Sequence, residues 1–461
     1  MRRIKLALVL ALPALLALLA LTSTGGDPAR AALSASADAL AGSEERAPRE
    51  GFGLEGHKSL ADFSESDGAP SVRVRSFGGE RYDWRPARGE TRSRREIADR
   101  PWAGTLTAKE WCDAESFGQW LDLVGEAQGS AGPFARVARA WQLSTQERIA
   151  LTLEDAGGRP VADVPVVLER EGEVLFRART DNRGRAFLYP DLERRRSAGR
   201  ALEGLRVIAR GGGRAVSRAV RAGDALRLVL PLEDQAPAAV GDVMLVMDTT
   251  GSMSDELSYL QSELENVIAR ADHQLMQQVD MRLSVNFYRD RGDAYVLRSF
   301  PFTRSLAQAT ASLLEQRAEG GGDYPEAVEL ALADALEEHR WSASARGRLL
   351  FLVLDAPPRG GAAEVRSLQR SLADAAAKGI RIFPVAGSGV DKDTEFLLRH
   401  FAVITGGSYV YLTDDSGVGE RHLEATGGRA QTERLNDLMT RLIVESLRDA
   451  DQVAPVYQAR R

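Results

Sequence analysis

Cysteine is nearly missing from this chain of 461 residues: Cys112 stands alone. No disulfide can close within one molecule, and the thiol is read as a small buried apolar side chain. Lysine is almost as scarce, at positions 5, 58, 109, 378 and 392, so arginine carries nearly all the positive charge. A cationic surplus is also missing. The net charge of -6 argues against a nucleic-acid partner, which selects for basic stripes. The five histidines, at 57, 273, 339, 400 and 422, have no metal-ligand spacing and are expected on the solvated surface. The longest apolar run, Leu6 to Leu21, falls short of the roughly 20 residues of a spanning helix. What remains is 44% hydrophobic and 27% charged, a globular balance with enough apolar residues for two or three domains.

The amino-terminal residues have the layout of an export signal. Met1-Arg2-Arg3-Ile4-Lys5 is basic, the apolar run follows, and Ala29-Arg30-Ala31 fits a small-x-small cleavage site. With no Cys after the run a lipid anchor is disfavoured, and membrane contact would come only through an uncleaved signal anchor. Residues 1–31 are thus read as a signal peptide and the chain as exported, to the periplasm, the cell surface or the medium.

Residues 32–100 read as a disordered linker, because stretches such as Ser43-Glu44-Glu45-Arg46-Ala47-Pro48 bury too little surface to offset chain entropy. Residues 101–146 hold Trp102, Trp111, Trp120 and Trp141; rings of that size imply burial, and the segment is expected to pack on the domain that follows. Within it, Thr107-Ala108-Lys109-Glu110-Trp111 reads as a capped helix. From 147 to 234 the hydrophobic period is two. Ile149, Leu151 and Leu153 alternate with polar neighbours, as do Val164, Val166 and Leu168, and Ala156-Gly157-Gly158-Arg159-Pro160 and Thr180-Asp181-Asn182-Arg183-Gly184 punctuate the runs. Short alternating strands at this spacing predict a β-sandwich. This stretch resembles carboxypeptidase-regulatory-like and bacterial Ig-like domains, which implies a structural spacer.

After Gln235-Ala236-Pro237-Ala238-Ala239 strands and helices alternate, the mark of an α/β doubly wound, mostly parallel sheet. The strands read are Val243–Asp248, Leu283–Tyr288, Tyr295–Phe300, Leu349–Asp355, Arg381–Ala386 and Tyr409–Leu412. Helices begin near Asp255, Ser305, Pro325, Ala362 and Thr394, and a last one spans Gln431–Leu447. The domain is placed at 241–448, with a tail at 449–461.

Such sheets bind ligands at the carboxyl ends of their strands, where strand order reverses. The first strand ends in Asp248-Thr249-Thr250-Gly251-Ser252-Met253-Ser254. Oxygen ligands at i, i+2 and i+4 point into one crevice, and a carboxylate with two hydroxyls suits Mg²⁺ or Ca²⁺. Two more loops extend the pattern: Glu319-Gly320-Gly321-Gly322-Asp323-Tyr324-Pro325-Glu326 before a helix, and Asp355-Ala356-Pro357-Pro358 after an apolar strand. In this order they resemble the metal-ion-dependent adhesion site of von Willebrand factor A domains, Asp-x-Ser-x-Ser, with Thr250 in the middle position. Asp323 stands where many members have Thr, in a Gly-Gly-Gly-Asp-x-Pro-Glu form found in one branch of the family, including alpha-kinase A domains. Arg359 stands where that branch often has His. Asn286-Phe287-Tyr288-Arg289-Asp290 and Thr405-Gly406-Gly407-Ser408-Tyr409 extend the match.

The resemblance implies a Rossmann-like fold and a single Mg²⁺ (or Ca²⁺ or Mn²⁺) held by Asp248, Thr250, Ser252, Asp323 and Asp355. It also implies a protein partner whose acidic residue fills the open coordination position, and coupling between occupancy and movement of the last helix. Arg291-Gly292-Asp293, an integrin-recognition tripeptide, is taken as coincidence in a chain rich in Arg and Gly. Two other readings stay open: a metal-dependent hydrolase or phosphatase, and a structural module whose metal site no longer functions. Against catalysis, Thr250 occupies the position where an aspartate-nucleophile phosphatase needs a second carboxylate, and Ser252 lacks a Gly-x-Ser-x-Gly elbow. The chain is therefore expected to bind and not to catalyse.

Overall fold

The computed structural model describes residues 72–75, 82–84, 101–127, 130–192, 202–232, 238–275, 278–428 and 430–449. The signal segment, most of the linker and the end of the tail lie outside the described residues. The described residues all fall within one compact unit.

In chain order the strands are β1 (Val72–Arg75), β2 (Tyr82–Trp84), β3 (Thr107–Trp111), β4 (Glu126–Ala127), β5 (Ser130–Ala131), β6 (Ile149–Glu154), β7 (Pro165–Arg170), β8 (Glu173–Arg179) and β9 (Arg185–Leu188). Next come β10 (Leu205–Gly211), β11 (Arg214–Val220), β12 (Ala225–Val229), β13 (Val240–Asp248), β14 (Asp280–Tyr288) and β15 (Leu297–Ser299). The last four are β16 (Gly347–Leu354), β17 (Ile380–Ala386), β18 (Tyr409–Leu412) and β19 (Glu433–Arg434). The helices are α1 (Phe117–Val124), α2 (Ala135–Ala140), α3 (Leu257–Leu275), α4 (Leu306–Leu314), α5 (Val328–Glu337), α6 (Ala362–Lys378), α7 (Lys392–Thr405) and α8 (Leu435–Leu447).

The large sheet runs β19-β3-β18-β17-β16-β13-β14-β15-β1-β2. Its middle, β18 to β14, is parallel, and the added strands at both edges pair antiparallel. Near-continuous apolar runs suit strands buried on both faces. In β13, Met244 and Val246 enter one core while Val243, Leu245 and Met247 enter the other; β16 divides Leu350, Leu352 and Leu354 from Leu349, Phe351 and Val353 the same way. Strand order reverses between β13 and β16, which places a crevice at their carboxyl ends.

Three expectations are corrected. The segment 107–111 is a strand, not a helix: Thr-Ala-Lys-Glu-Trp has helical propensity, but the open edge of β18 pairs with it in the register Tyr409↔Trp111, and tertiary pairing overrides local preference. The linker contributes β1 and β2, which extend the edge at β15; runs of four and three residues are too short to show a period. The Trp-rich segment meets the two-sheet region, Arg148 donating to Ala114 O at 2.9 Å, but it packs on the α/β domain as well. Trp120 stacks on Phe396 of α7 at 6.0 Å, and Arg399 of α7, fully buried, pairs with Asp113 at 2.6 and 2.8 Å. Trp102, in contrast, is 87% exposed.

Residues 147–232 form a four-stranded sheet, β11-β10-β7-β8, and a three-stranded one, β12-β6-β9. Their inward residues, among them Leu151, Val166, Leu188 and Val207, share one core. This two-sheet region docks at the amino ends of the parallel strands. Asp163 takes Arg348 of β16 at 2.7 Å, Arg179 at 2.7 Å and the Ala345 amide at 3.0 Å. Asn182 donates to the carbonyls of Glu445 and Arg448 at 2.7 and 2.9 Å, satisfying groups that the end of α8 leaves open. The centre described next is at the other end of the sheet.

Candidate metal centre

The site starts from the turn after β13. Asp248 is wholly buried, and its Oδ1 accepts hydrogen bonds from the Thr250 amide at 2.8 Å and hydroxyl at 2.7 Å. Thr250 Oγ1 stands 3.1 Å from Ser252 Oγ, and the Ser252 hydroxyl reaches the Asp355 carboxylate. Ser252 is exposed, so the crevice opens to solvent there. The second loop is stitched to the first: Glu319 N donates to Thr249 O at 3.1 Å and Gly251 N to Gly320 O at 3.1 Å. A Cβ on Gly251 would lie 2.9 Å from that Gly320 oxygen, so the two loops close only around glycine. The second and third loops join through Glu326 N, which donates to Pro357 O at 2.9 Å.

Of the residues expected to bind metal, Asp248, Thr250, Ser252 and Asp355 converge. Asp323 is exposed on its loop and pairs with Arg359 at 3.1 Å. The carboxylate that this loop turns inward is Glu326, 3% exposed; it ends the same Gly-Gly-Gly-Asp-x-Pro-Glu motif, and that ending was the available clue. Asp290 and Asp293 add charge beside it, Asp290 accepting from Arg359 and Asp293 accepting from Gly321 N at 2.9 Å. The Arg-Gly-Asp tripeptide is thus built into the site wall, its Arg291 paired with Glu329 at 2.6 Å.

Three buried carboxylate oxygens in this crevice, Asp248 Oδ2, Asp355 Oδ1 and Glu326 Oε2, have no hydrogen-bond partner. The electrostatics register the same frustration. Burial and then Asp293 raise the Asp248 carboxyl above the usual carboxylate range. Burial, Asp248 and Glu256 raise Asp355, and burial followed by Asp248, Asp290 and Asp355 pushes Glu326 to about 9. Leaving such charges uncompensated costs several kcal/mol per ion. Unpartnered hard oxygens beside two hydroxyls are a donor set that fits a hard divalent cation. Among the described residues no group of three or more His, Cys, Asp or Glu forms a ready-made cage; the set depends on hydroxyls as well as carboxylates.

One neighbour had no sequence cue. His422, buried and not solvated as expected, lies 3.0 Å from Glu256 Oε1 through Nε2 and 2.9 Å from Asp414 Oδ1 through Nδ1. Burial works against its charge, but the two carboxylates outweigh burial and raise its pKa. His400 is likewise buried. Cys112, expected to be buried, is half-buried, and desolvation pushes its thiol up to about 11, which disfavours the reactive thiolate.

Parts of the chain are similar to known proteins. An ariadne-like RING finger protein, R811, of Acanthamoeba polyphaga mimivirus is 28% identical over 190 residues. That match takes in 38% of this chain, and the chain spans only 18% of that relative's length. The crystal structure of the conserved hypothetical protein BatB from Bacteroides thetaiotaomicron aligns over 45% of this chain and 86% of its own, at 13% identity and a TM-score of 0.25. Residues 242–383 match the family of the von Willebrand factor A domain. All three loops of the crevice lie inside that span.

Proposed function

We propose that the chain is an exported, divalent-metal-dependent protein-binding module, acting in adhesion or complex assembly, and not an enzyme. The observation that carries this reading is the cluster of three buried, unpartnered carboxylate oxygens on Asp248, Asp355 and Glu326, opening to solvent beside the Ser252 hydroxyl. Thr250 and Ser252 offer hydroxyl oxygens, and Asp248, Asp355 and Glu326 offer negative charge. Asp323, on the exposed rim, is held by Arg359 and is the outermost of the expected ligands. A bound Mg²⁺, Ca²⁺ or Mn²⁺ supplies concentrated positive charge with a coordination position left for a carboxylate from a partner protein. The chain's own work is to keep that charge under-neutralised. Part of the carboxylate set is shared with Arg359 and the loop amides, so an incoming Asp or Glu still finds net attraction. The two-sheet region serves as the β-sandwich spacer of this module.

Calorimetric titration of the wild type with Mg²⁺, Mn²⁺ and Ca²⁺ is expected to show one site, accompanied by a rise in Tm. Asp248→Ala abolishes both. No uptake of any of the three ions by the wild type would sink the reading.

A further inference from the structure

The strand beside the first loop brings one more unused polar group to the crevice. Tyr288 closes β14, and in the parallel pairing of β13 with β14 it lies directly opposite Asp248. Residues opposite one another in such a pair share a face of the sheet. That face is the one to which β13 sends Met244 and Val246, and Tyr288 belongs to the same core. The ring is wholly buried. Its backbone is fixed, the carbonyl accepting from the Thr249 amide and hydroxyl, each at 3.0 Å. The phenolic hydroxyl, enclosed like the ring, has no hydrogen-bond partner.

The charges acting on that hydroxyl are the carboxylates of the crevice. Burial first, then Asp248, Asp355 and Glu326, hold its pKa well above the ordinary tyrosine value. It therefore stays a neutral O–H donor and does not become a phenolate ligand. Of the three, Asp248 acts on it most strongly. Asp248 has one oxygen filled and one empty: Oδ1 takes the Thr250 amide and hydroxyl, and Oδ2 takes nothing. Neighbouring hydroxyls are engaged elsewhere, Ser252 with Asp355 and Thr249 with the Tyr288 carbonyl and the Tyr295 hydroxyl. A buried donor without an acceptor stands beside a buried acceptor without a donor.

An unpartnered tyrosine is not a site by itself. Tyr409 is as deeply buried and its hydroxyl is as unpartnered, but the carboxylates and guanidinium acting on it, Glu395, Arg399 and Asp113, are outside the crevice. Those acting on Tyr288 are the ones left open for a cation. We propose that Tyr288 is a positioning residue of the metal centre, its hydroxyl donating to Asp248 Oδ2 when a divalent cation draws that oxygen into the crevice. This rests on the metal reading above and adds an ion preference to it. A ligating carboxylate is oriented by the hydrogen bonds it accepts, and a neutral donor orients it without cancelling the charge the ion needs. With Oδ1 held by Thr250 and Oδ2 by Tyr288, Asp248 is kept from turning both oxygens on one ion. Mg²⁺ accepts single-oxygen ligation in a small octahedral shell, whereas Ca²⁺ readily takes carboxylates bidentately. Tyr288 thus favours Mg²⁺ over Ca²⁺.

Tyr288→Phe in the full chain, titrated with Mg²⁺ and with Ca²⁺ separately, tests the proposal. Calorimetry is expected to show Mg²⁺ binding weakened by about tenfold or more and Ca²⁺ binding by much less. Without metal the variant is expected to melt no lower than the wild type, because the hydroxyl it deletes makes no hydrogen bond. Tyr409→Phe, the control, leaves both affinities unchanged. Should Tyr288→Phe not fold, the wild type alone gives the answer: adding Mg²⁺ shifts the near-ultraviolet absorption of a tyrosine whose hydroxyl gains a carboxylate acceptor. A Tyr288→Phe variant that binds Mg²⁺ as tightly as the wild type overturns the inference and leaves the metal reading standing. So does a tyrosine spectrum that Mg²⁺ leaves unmoved, and a metal-free melting temperature that falls with the affinity assigns Tyr288 a packing role instead. A wild type that takes up neither ion removes both readings.

Discussion

The two ends of the sheet bury carboxylates in opposite ways. At the amino ends, Asp163 accepts from two guanidinium groups and an amide. Asp242, at the start of β13, takes Arg282 at 2.8 and 2.9 Å together with the Ser342 amide and hydroxyl. Burial opposes the charge on Asp163, yet Arg348 and Arg179 hold its carboxyl below the usual range. At the carboxyl ends, Asp248, Asp355 and Glu326 are just as enclosed, and their pKa values move up. Burial of charge therefore does not by itself mark a functional site. The mark is burial with the partners withheld, a pattern that cements one end of the domain and leaves the other in need of a cation.

Substitutions at the two ends should separate these cases. Asp163→Ala strands Arg348 and Arg179 at the junction with the two-sheet region and is expected to cost on the order of 3 kcal/mol, read as a lowered midpoint in denaturant. A cost under about 0.5 kcal/mol would remove the contrast. A pH series on the metal-free chain gives a smaller effect with a definite sign. A carboxyl raised in the folded state contributes stability that is complete below the ordinary carboxylate pKa and is lost as pH rises through the folded value. The metal-free chain should therefore lose stability from about pH 4.5 upward, Glu326 being the last to titrate, at about 9. Glu326→Gln removes that last step, and saturating Mg²⁺ restores stability chiefly at high pH, since the ion binds the ionised form. A metal-free melting temperature that climbs from pH 5 to pH 9 contradicts the assignment.

The smallest effect compares two similar turns. Asp155 and Asp181 each accept two backbone amides and the arginine four residues on. The second loop presses against the α/β domain through Asn182 and Arg183. Asp181→Asn is expected to lower the melting temperature measurably and Asp155→Asn hardly at all; equal shifts would mean that docking contributes nothing to the Asp181 loop.

Much of the α/β half was legible because its strands are buried on both faces. Tyr409–Leu412 was read at its observed limits, and Val243–Asp248 lost only its first three residues, where Gly241 and Asp242 interrupt the apolar run. The loop beginning at Asp355 and the Asp248-to-Ser252 turn were legible because oxygen-bearing side chains spaced along a single turn are a local pattern. Glu326 was quoted within its motif but left out of the ligand set. Residues that act through tertiary approach left no such trace. The pairing of His422 with Glu256 spans 166 residues, and β3 is recognisable as a strand only in the presence of β18.

The insertion of β3 between β18 and β19 also bears on how the chain reaches its native state. Thr107 meets Thr413 across a separation of 306 residues, so a strand made early has no place in the sheet until nearly everything after it has been synthesised. Contacts of such long range slow folding and leave a strand edge unpaired in the meantime. Truncation anywhere before β18 should leave a chain whose first half and last half are both incomplete.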